Sequence, residues 1–364
     1  VGGCVRNTVM GCVVDDIDIA TKLRPEAAQA ALENAGIRVI PTGIEHGTVT
    51  AISGGQAFEI TSLRRDIETD GRRAVVAFCD NWDEDAQRRD FRLNALYADA
   101  AGTIYDPTGA GYADALAGRV VFIGDAGERL REDYLRILRF FRFNAWYGAG
   151  IDEAGLAACA QQKEGLAQIA RERIWRELKK LLSAPQPFAA VSAMLESGVL
   201  DIILPENHGL DRLHNLILTE QLVGSAPDAL LRLMALLPRT ALAVQGTQHA
   251  LRLSNHEAGR ITMWAADNLP SIDGMNGRAL RAALYWHGKQ AVTDRAMLSG
   301  ADVRDLLAAA RAWRRPDFPI TGDDALAAGL KGEEIGQALS RVARYWVDRD
   351  FEPERGELLL QLQT

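Results

Sequence analysis

Apolar and polar residues alternate with a period near two in short runs of the first hundred positions, and with a helical period over most of the remaining chain. The runs at 16–20, 38–41, 48–52, 58–63 and 93–99 predict strands, and the stretch near 25–35, opening on Pro25, predicts one helix among them. From about position 114 the pattern changes to segments rich in Ala, Leu and Arg, as at 131–143, 174–182, 229–236 and 301–313, which read as helices. Pro185, Pro187, Pro205, Pro238, Pro270, Pro316 and Pro319 punctuate them, with no Gly/Ser-rich linker or regular repeat between. The fold class predicted is α+β: a small mixed sheet near the start, then helices alone. Val1-Gly2-Gly3 reads as the end of a strand, with an N-terminal segment expected before it.

At 364 residues the chain exceeds what one hydrophobic core usually supports, so two or more packed units are expected. Its 48% apolar and 25% charged residues are those of an ordinary globular protein and argue against extensive disorder. No apolar run reaches the roughly 18–20 residues of a membrane span and no secretory leader opens the sequence, so the cytoplasm and no membrane contact are expected. Cys4, Cys12, Cys79 and Cys159 lack the spacing of a zinc site or disulfide scaffold and read as reduced, buried small hydrophobes. A net charge of −8 excludes a uniformly basic surface, which confines any nucleic-acid site to a local patch. Residues 129–142 supply one candidate, with five arginines against Glu132 and Asp133. Arg171, Arg173, Arg176, Lys179 and Lys180 supply another, though a solvated helix face explains them equally well.

Candidate chemistry starts at Asp16-Ile17-Asp18-Ile19. On a strand both carboxylates point to one face, while Ile17 and Ile19 point into the core. Like charges held that close repel, and a hard divalent cation such as Mg²⁺ relieves the repulsion. Taken alone, an Asp-x-Asp pair is more often a solvated strand edge. Its setting adds weight: Gly2-Gly3 precedes it, where backbone amides leading toward a helix can cradle a triphosphate, and Arg6 adds a cation. Glu59 stands on a later strand as a possible third ligand. In Glu132-Asp133-Tyr134-Leu135-Arg136, Asp133 and Arg136 share a face at i and i+3 of the predicted helix. There a carboxylate can accept from an exocyclic amino group while a guanidinium donates to a ring nitrogen, the pairing-edge pattern common to cytosine and adenine. A plain intrahelical salt bridge would use the same two residues. Arg139 and Arg142 continue the arginine face as candidates for contact with triphosphate or RNA.

A set of motifs in order resembles the bacterial class II tRNA nucleotidyltransferases and poly(A) polymerases of the DNA polymerase β superfamily. They are Gly2-Gly3-Cys4-Val5-Arg6, Asp16-Ile17-Asp18-Ile19-Ala20-Thr21, His46-Gly47-Thr48-Val49, Glu59-Ile60-Thr61, Arg88-Arg89-Asp90-Phe91 with Asn94-Ala95, Asp106-Pro107, and Glu132-Asp133 through Phe143. The resemblance implies a nucleotidyltransferase head at 1–113, a helical neck carrying a base template at 114–183, and a helical body at 184–300 and tail at 301–364 that bind tRNA. It implies that Asp16, Asp18 and Glu59 hold two Mg²⁺ ions, which would activate an RNA 3′-hydroxyl and stabilise leaving pyrophosphate. It further implies that Gly3, Arg6, Arg89, Asp90, Asn94 and Arg139 bind the incoming nucleotide, and that Asp133 and Arg136 select C and A. The substrates implied are tRNA, CTP and ATP, with no protein partner.

Within that family the expected activity is addition of CCA to tRNA 3′ ends. Residues 41–48 lack the basic Gly-Arg-Arg-Phe-like run of the polyadenylating branch, and the C-terminus lacks a long basic tail. The stretch 65–78, with Asp70-Gly71-Arg72-Arg73, has the full length that CC-only enzymes lack, while A-only addition stays open. Asn7, Arg92 and Tyr134 replace the family's more frequent Asp, Thr and Pro, and none of these removes a metal ligand. No His-Asp doublet suggests a phosphohydrolase domain. A catalytically silent RNA-binding module is the alternative of a different class; loss of an acid would favour it, and all three are present.

Overall fold

Val49 and Ala51 are buried while Thr48, Thr50 and Ile52 are only partly so, and this alternation builds the centre of a four-stranded mixed sheet. The computed structural model describes residues 1–41, 43–69 and 74–363. Thr42 and the Asp70-Gly71-Arg72-Arg73 segment lie outside them. In chain order the first elements are α1 (Gly3–Val9), β1 (Asp18–Thr21), α2 (Pro25–Asn34), β2 (Arg38–Ile40), β3 (Thr48–Ser53) and β4 (Gln56–Ser62). The sheet order is β1-β4-β3-β2, with β1 parallel to β4 and the other pairs antiparallel. β5 (Arg64–Thr69) and β6 (Ala74–Phe78) form a separate antiparallel pair. β5 carries Arg64, Arg65, Asp66 and Glu68, so its sequence gives no apolar alternation by which to predict it.

Four expectations need correction. The first strand begins at Asp18, leaving Asp16 outside it, and Ile17 and Ile19 are 53% and 39% exposed instead of buried. β1 is an edge strand paired only with β4, so no second strand flanks it in this sheet. The run 93–99 is a 3₁₀ turn at Arg92–Asn94 followed by the two-residue strand Tyr97–Ala98. Leu93, Ala95, Leu96 and Tyr97 are all buried, so this stretch never alternates. The first residues likewise lead into a helix, not out of a strand: the Gly2 amide donates to the Leu96 carbonyl at 2.8 Å, and α1 begins at once. The cysteines are all free, yet only Cys159 is buried and Cys12 is exposed.

The later helices of the first compact unit include α3 (Trp82–Gln87), α4 (Gly111–Ala117), α5 (Ala126–Glu132), α6 (Leu135–Tyr147), α7 (Glu153–Gln162) and α8 (Arg171–Leu182). That unit comprises Val1–Leu210, Pro227–Leu230 and Gly246–Leu253. α6 buries Ile137, Leu138, Phe140 and Phe141, and its Phe140 and Phe143 pack with Phe91 and Phe122 at centroid separations of 5.3–6.3 Å. α6 also carries Arg136, Arg139 and Arg142 three residues apart, with Arg139 and Arg142 lying over the edge of that core at the Phe143 ring, 5.4 and 4.3 Å from its centroid. Arg142 Nε lies 2.6 Å from Glu177 Oε2 and so joins α6 to α8. The expected ligand-facing role of Arg142 therefore gives way to a packing one.

The second unit comprises Asp211–Ala226, Leu231–Gln245 and Ser254 onward, and it is helical. Two capping boxes, Ser254 with Glu257 and Thr321 with Asp324, fix helix starts there. Tyr285, Val342, Trp346 and Leu358 share one of its cores. Glu220 and Arg232 are 3% and 1% exposed and paired at 2.6 Å. Removing one partner strands the other charge in the interior, so Glu220→Ala should destabilise this unit by roughly 3–5 kcal/mol, whereas replacing both by Met should cost far less. Guanidinium titrations of the single and double variants check this; equal losses would contradict it.

Candidate active site

The predicted helix over 131–143 is two helices, and the break falls on Asp133. α5 ends at Glu132, Asp133 takes an extended conformation (φ −155°, ψ 106°), and α6 starts at Leu135. Asp gains more by capping than by continuing a helix: here its Oδ1 accepts from the Leu135 amide at 3.0 Å. Asp133 and Arg136 are thus brought together by a helix break, and the shared helix face expected from their i, i+3 spacing does not exist.

Asp133 Oδ2 accepts from Arg173 Nη2 of α8 at 2.8 Å. With one bond at each oxygen, each keeps acceptor capacity for a ligand. Arg136 donates from Nη1 to the Arg129 carbonyl (2.9 Å) and to Glu132, and from Nη2 to the Arg88 carbonyl (3.2 Å). Its planar head is therefore fixed by the backbone around it.

Gly3, Arg6, Arg89, Asp90, Asn94, Asp133, Arg136 and Arg139, the full set of nucleotide-binding candidates, line one polar cavity of about 570 Å³. A buried chain of side chains runs beneath it. Arg6 Nη1 donates to Asn94 Oδ1, Asn94 Nδ2 donates to Asp90 Oδ1 at 3.0 Å, and Arg139 Nε donates to Asp90 Oδ2 at 2.7 Å. Arg6 also stacks over the Tyr147 ring at 4.0 Å and donates to its hydroxyl at 2.9 Å. Burial pushes the Asp90 carboxyl up, but Arg139, Asn94 and the Phe91 amide outweigh it and hold it below the usual carboxylate range. A depressed carboxyl stabilises the fold fully above its unfolded range, near pH 4, and loses that contribution as pH falls through the folded value. The stability gap between the parent and Asp90→Asn should therefore narrow on acidification from pH 7 to pH 3; a constant gap would contradict the pairing.

The three acids sit elsewhere. Asp16, Asp18 and Glu59 line a second polar cavity of about 590 Å³ with Thr50 and Gln56. Parallel pairing sets Asp18 directly opposite Glu59, and Asp16 joins them from the segment before β1. All three are exposed, and no salt bridge among the described residues involves them. Among the described residues no three acidic, His or Cys side chains converge closely enough to hold an ion. The donor set itself is all carboxylate oxygen, lacks a protein counter-charge, and fits a hard divalent cation. Like charges held near one another repel, and a bound divalent cation would relieve that repulsion.

Sequence reasoning missed Arg64, Arg88 and Arg173, which also line the first cavity, and the acid that holds two of its arginines, Asp85. Arg173 was legible only as part of a basic stretch. Its direction toward Asp133 depends on how α8 packs on α6.

The chain is similar in sequence and fold to known proteins. Residues 1–121 match the family described as the poly A polymerase head domain, and residues 150–210 match the probable RNA and SrmB-binding site of polymerase A. The chain is 34% identical to the mitochondrial CCA tRNA nucleotidyltransferase 1 of Mus musculus, over 98% of this chain and 84% of that protein. It is 32% identical to the CCA-adding enzyme of Limosilactobacillus fermentum, over 96% and 88% respectively. Its fold superposes on the Bacillus stearothermophilus CCA-adding enzyme solved with CTP, with a TM-score of 0.80 and 26% identity, covering 100% of this chain and 91% of that one.

Proposed function

The chain belongs to the family of CCA-adding tRNA nucleotidyltransferases, and on that premise we propose that it rebuilds the CCA end of tRNA from CTP and ATP. The observation that carries this reading is the single cavity in which all the nucleotide-binding candidates meet, with Asp133 and Arg136 fixed at one wall. The arginines supply the charge a triphosphate needs, and Arg6, Arg89 and Arg139 are pinned by neighbours, so little side-chain order has to be gained on binding. Asp133 accepts from the exocyclic amino group of C or A, and Arg136 donates to the adjacent ring nitrogen. Uracil and guanine present the reverse pattern and leave buried polar groups unpaired, at roughly 1–3 kcal/mol per group.

Asp16, Asp18 and Glu59 would hold the divalent cations, with Mg²⁺ suited to their oxygen-only set. Held by these three acids, such ions would supply Lewis-acid chemistry, lowering the pKa of an attacking 3′-hydroxyl and offsetting charge on pyrophosphate. Head, neck, body and tail are assigned to 1–113, 114–183, 184–300 and 301–364 on the family resemblance. No helix among the described residues is long and apolar enough to cross a membrane. The cytoplasm is the proposed compartment, and the animal relatives carry mitochondrial names.

The helix Glu333–Asp348 starts at Gly332 beside Lys331, where backbone amides and an ammonium can meet a tRNA phosphate. Cutting the chain after Pro316 would remove Trp346 and Leu358 from the core they share with Tyr285, so a point change is the cleaner probe. Lys331→Ala should weaken tRNA binding a few-fold without changing affinity for CTP; unaltered tRNA affinity would exclude the contact. The function itself is tested by pyrophosphate release. With tRNA lacking its last three nucleotides, release should require CTP, continue on adding ATP, and remain near background with UTP or GTP. Equal release with all four nucleotides would refute the reading.

A further inference from the structure

Asp85 stands out among the buried acids because it does not line the nucleotide cavity but holds residues that do. It lies on α3 with only 1% of its surface exposed. Its Oδ1 accepts from Arg88 Nε at 2.9 Å and Nη2 at 2.7 Å, and from the Arg64 backbone amide at 3.3 Å. Its Oδ2 accepts from the Tyr97 hydroxyl at 2.6 Å and from Arg89 Nη2 at 3.2 Å. Arg88 Nε also donates to the Arg64 carbonyl at 3.1 Å, and Arg89 Nη1 to the Asn94 carbonyl at 3.3 Å. Arg64, Arg88 and Arg89 all reach the cavity wall, and Arg89 lies so close over Gly2 that a β-carbon there would come within 2.8 Å of Nη1.

Two guanidiniums side by side repel each other, and long arginine side chains spread into solvent unless something holds them. One buried carboxylate answers both. It cancels part of the charge and, with its oxygens filled by five donors, leaves each guanidinium one orientation. Burial pushes this carboxyl up, but Arg88, Arg89 and Tyr97 outweigh it and keep it below the usual range, so it is ionised at neutral pH.

Resting on the nucleotidyltransferase reading, we propose that Asp85 is a positioning residue for the triphosphate: it aims Arg88 and Arg89 into the cavity and ties the first residue of β5 to the same wall. It touches neither the base nor the metal-binding acids. Its loss should therefore weaken the grip on phosphate and leave base choice intact.

The test is Asp85→Asn in the full chain, compared with the parent. KM for CTP and for ATP should rise about tenfold, the scale of one weakened charge-assisted hydrogen bond, with a smaller change in kcat. Inorganic tripolyphosphate, titrated as a probe without any base, should lose affinity by the same factor. The CTP over UTP preference and the affinity for tRNA should not move. Unchanged tripolyphosphate affinity, or losses of tRNA and tripolyphosphate binding in parallel, would overturn the proposal. If Asp85→Asn does not fold, Tyr97→Phe removes only one of the donors that fix Oδ2 and should give a smaller rise in the same KM; no rise would overturn it equally. Tripolyphosphate binding needs no transfer activity. A parent protein that fails to extend tRNA would therefore refute the function while leaving this comparison readable.

Discussion

Asp18→Ala should lower the rate of nucleotide addition by about three orders of magnitude or more, while the protein stays folded and keeps its affinity for tRNA. Asp18 lies at the start of an edge strand, directly opposite Glu59, with its side chain exposed and outside any ion pair among the described residues. A side chain so placed contributes little to stability, and its truncation should leave the sheet unaltered. What it offers is one of three carboxylates collected at a single cavity. Asp16→Ala should behave alike, although Asp16 reaches that cavity from the segment preceding β1. Single-turnover rates at saturating CTP and tRNA, with circular dichroism at matched concentration, make the comparison. Turnover within a few-fold of the parent in either variant would remove the two-metal assignment.

Asp133→Ala should relax base selection more than it harms any other step. Alanine removes the acceptor for the amino hydrogen shared by C and A and leaves Asp16, Asp18 and Glu59 untouched. It also frees Arg173 from this ion pair. kcat/KM for CTP and ATP should fall by roughly one to two orders of magnitude, the cost of about 1–3 kcal/mol in transition-state stabilisation. UTP and GTP never made that bond and should lose less, so the CTP over UTP and ATP over GTP ratios shrink. A common factor for all four nucleotides would mean that Asp133 supports the helix break or the triphosphate and does not read the base.

The parts of the fold that were legible in the sequence are those where local pattern and burial agree. β3 alternates and is half buried; the helix at Ala229–Leu236 has the bounds its periodicity predicts. The parts that were not legible are those where tertiary contacts decide. Residues 93–97 are apolar but for Asn94, and every one packs inward, so a strand and a 3₁₀ turn look the same in such a run. Asp133 interrupts a helical pattern that continues on both sides, and only its bond to the Leu135 amide marks the break. Site residues divide in the same way. Asp16 with Asp18 could be picked out by spacing, and Arg89 with Asp90 by the family resemblance. Arg173 acts across packed elements, and no spacing encodes its distance to Asp133. Asp85 pairs with Arg88 and Arg89 at the local i, i+3 and i, i+4 spacings, but its burial and its bond to Tyr97 come only from the packing.

The most direct measurement uses tRNA transcripts ending just before the first C, after one C, and after CC, each incubated with CTP, ATP or both, with products sequenced at the 3′ end. CCA addition predicts that CTP alone adds two, one and no residues respectively, that ATP completes only the CC end, and that both together carry every transcript to CCA and stop. Extension of the CC end by A with no use of CTP on the shorter transcripts, runs of A beyond CCA, or no extension of any transcript would contradict CCA addition by this protein.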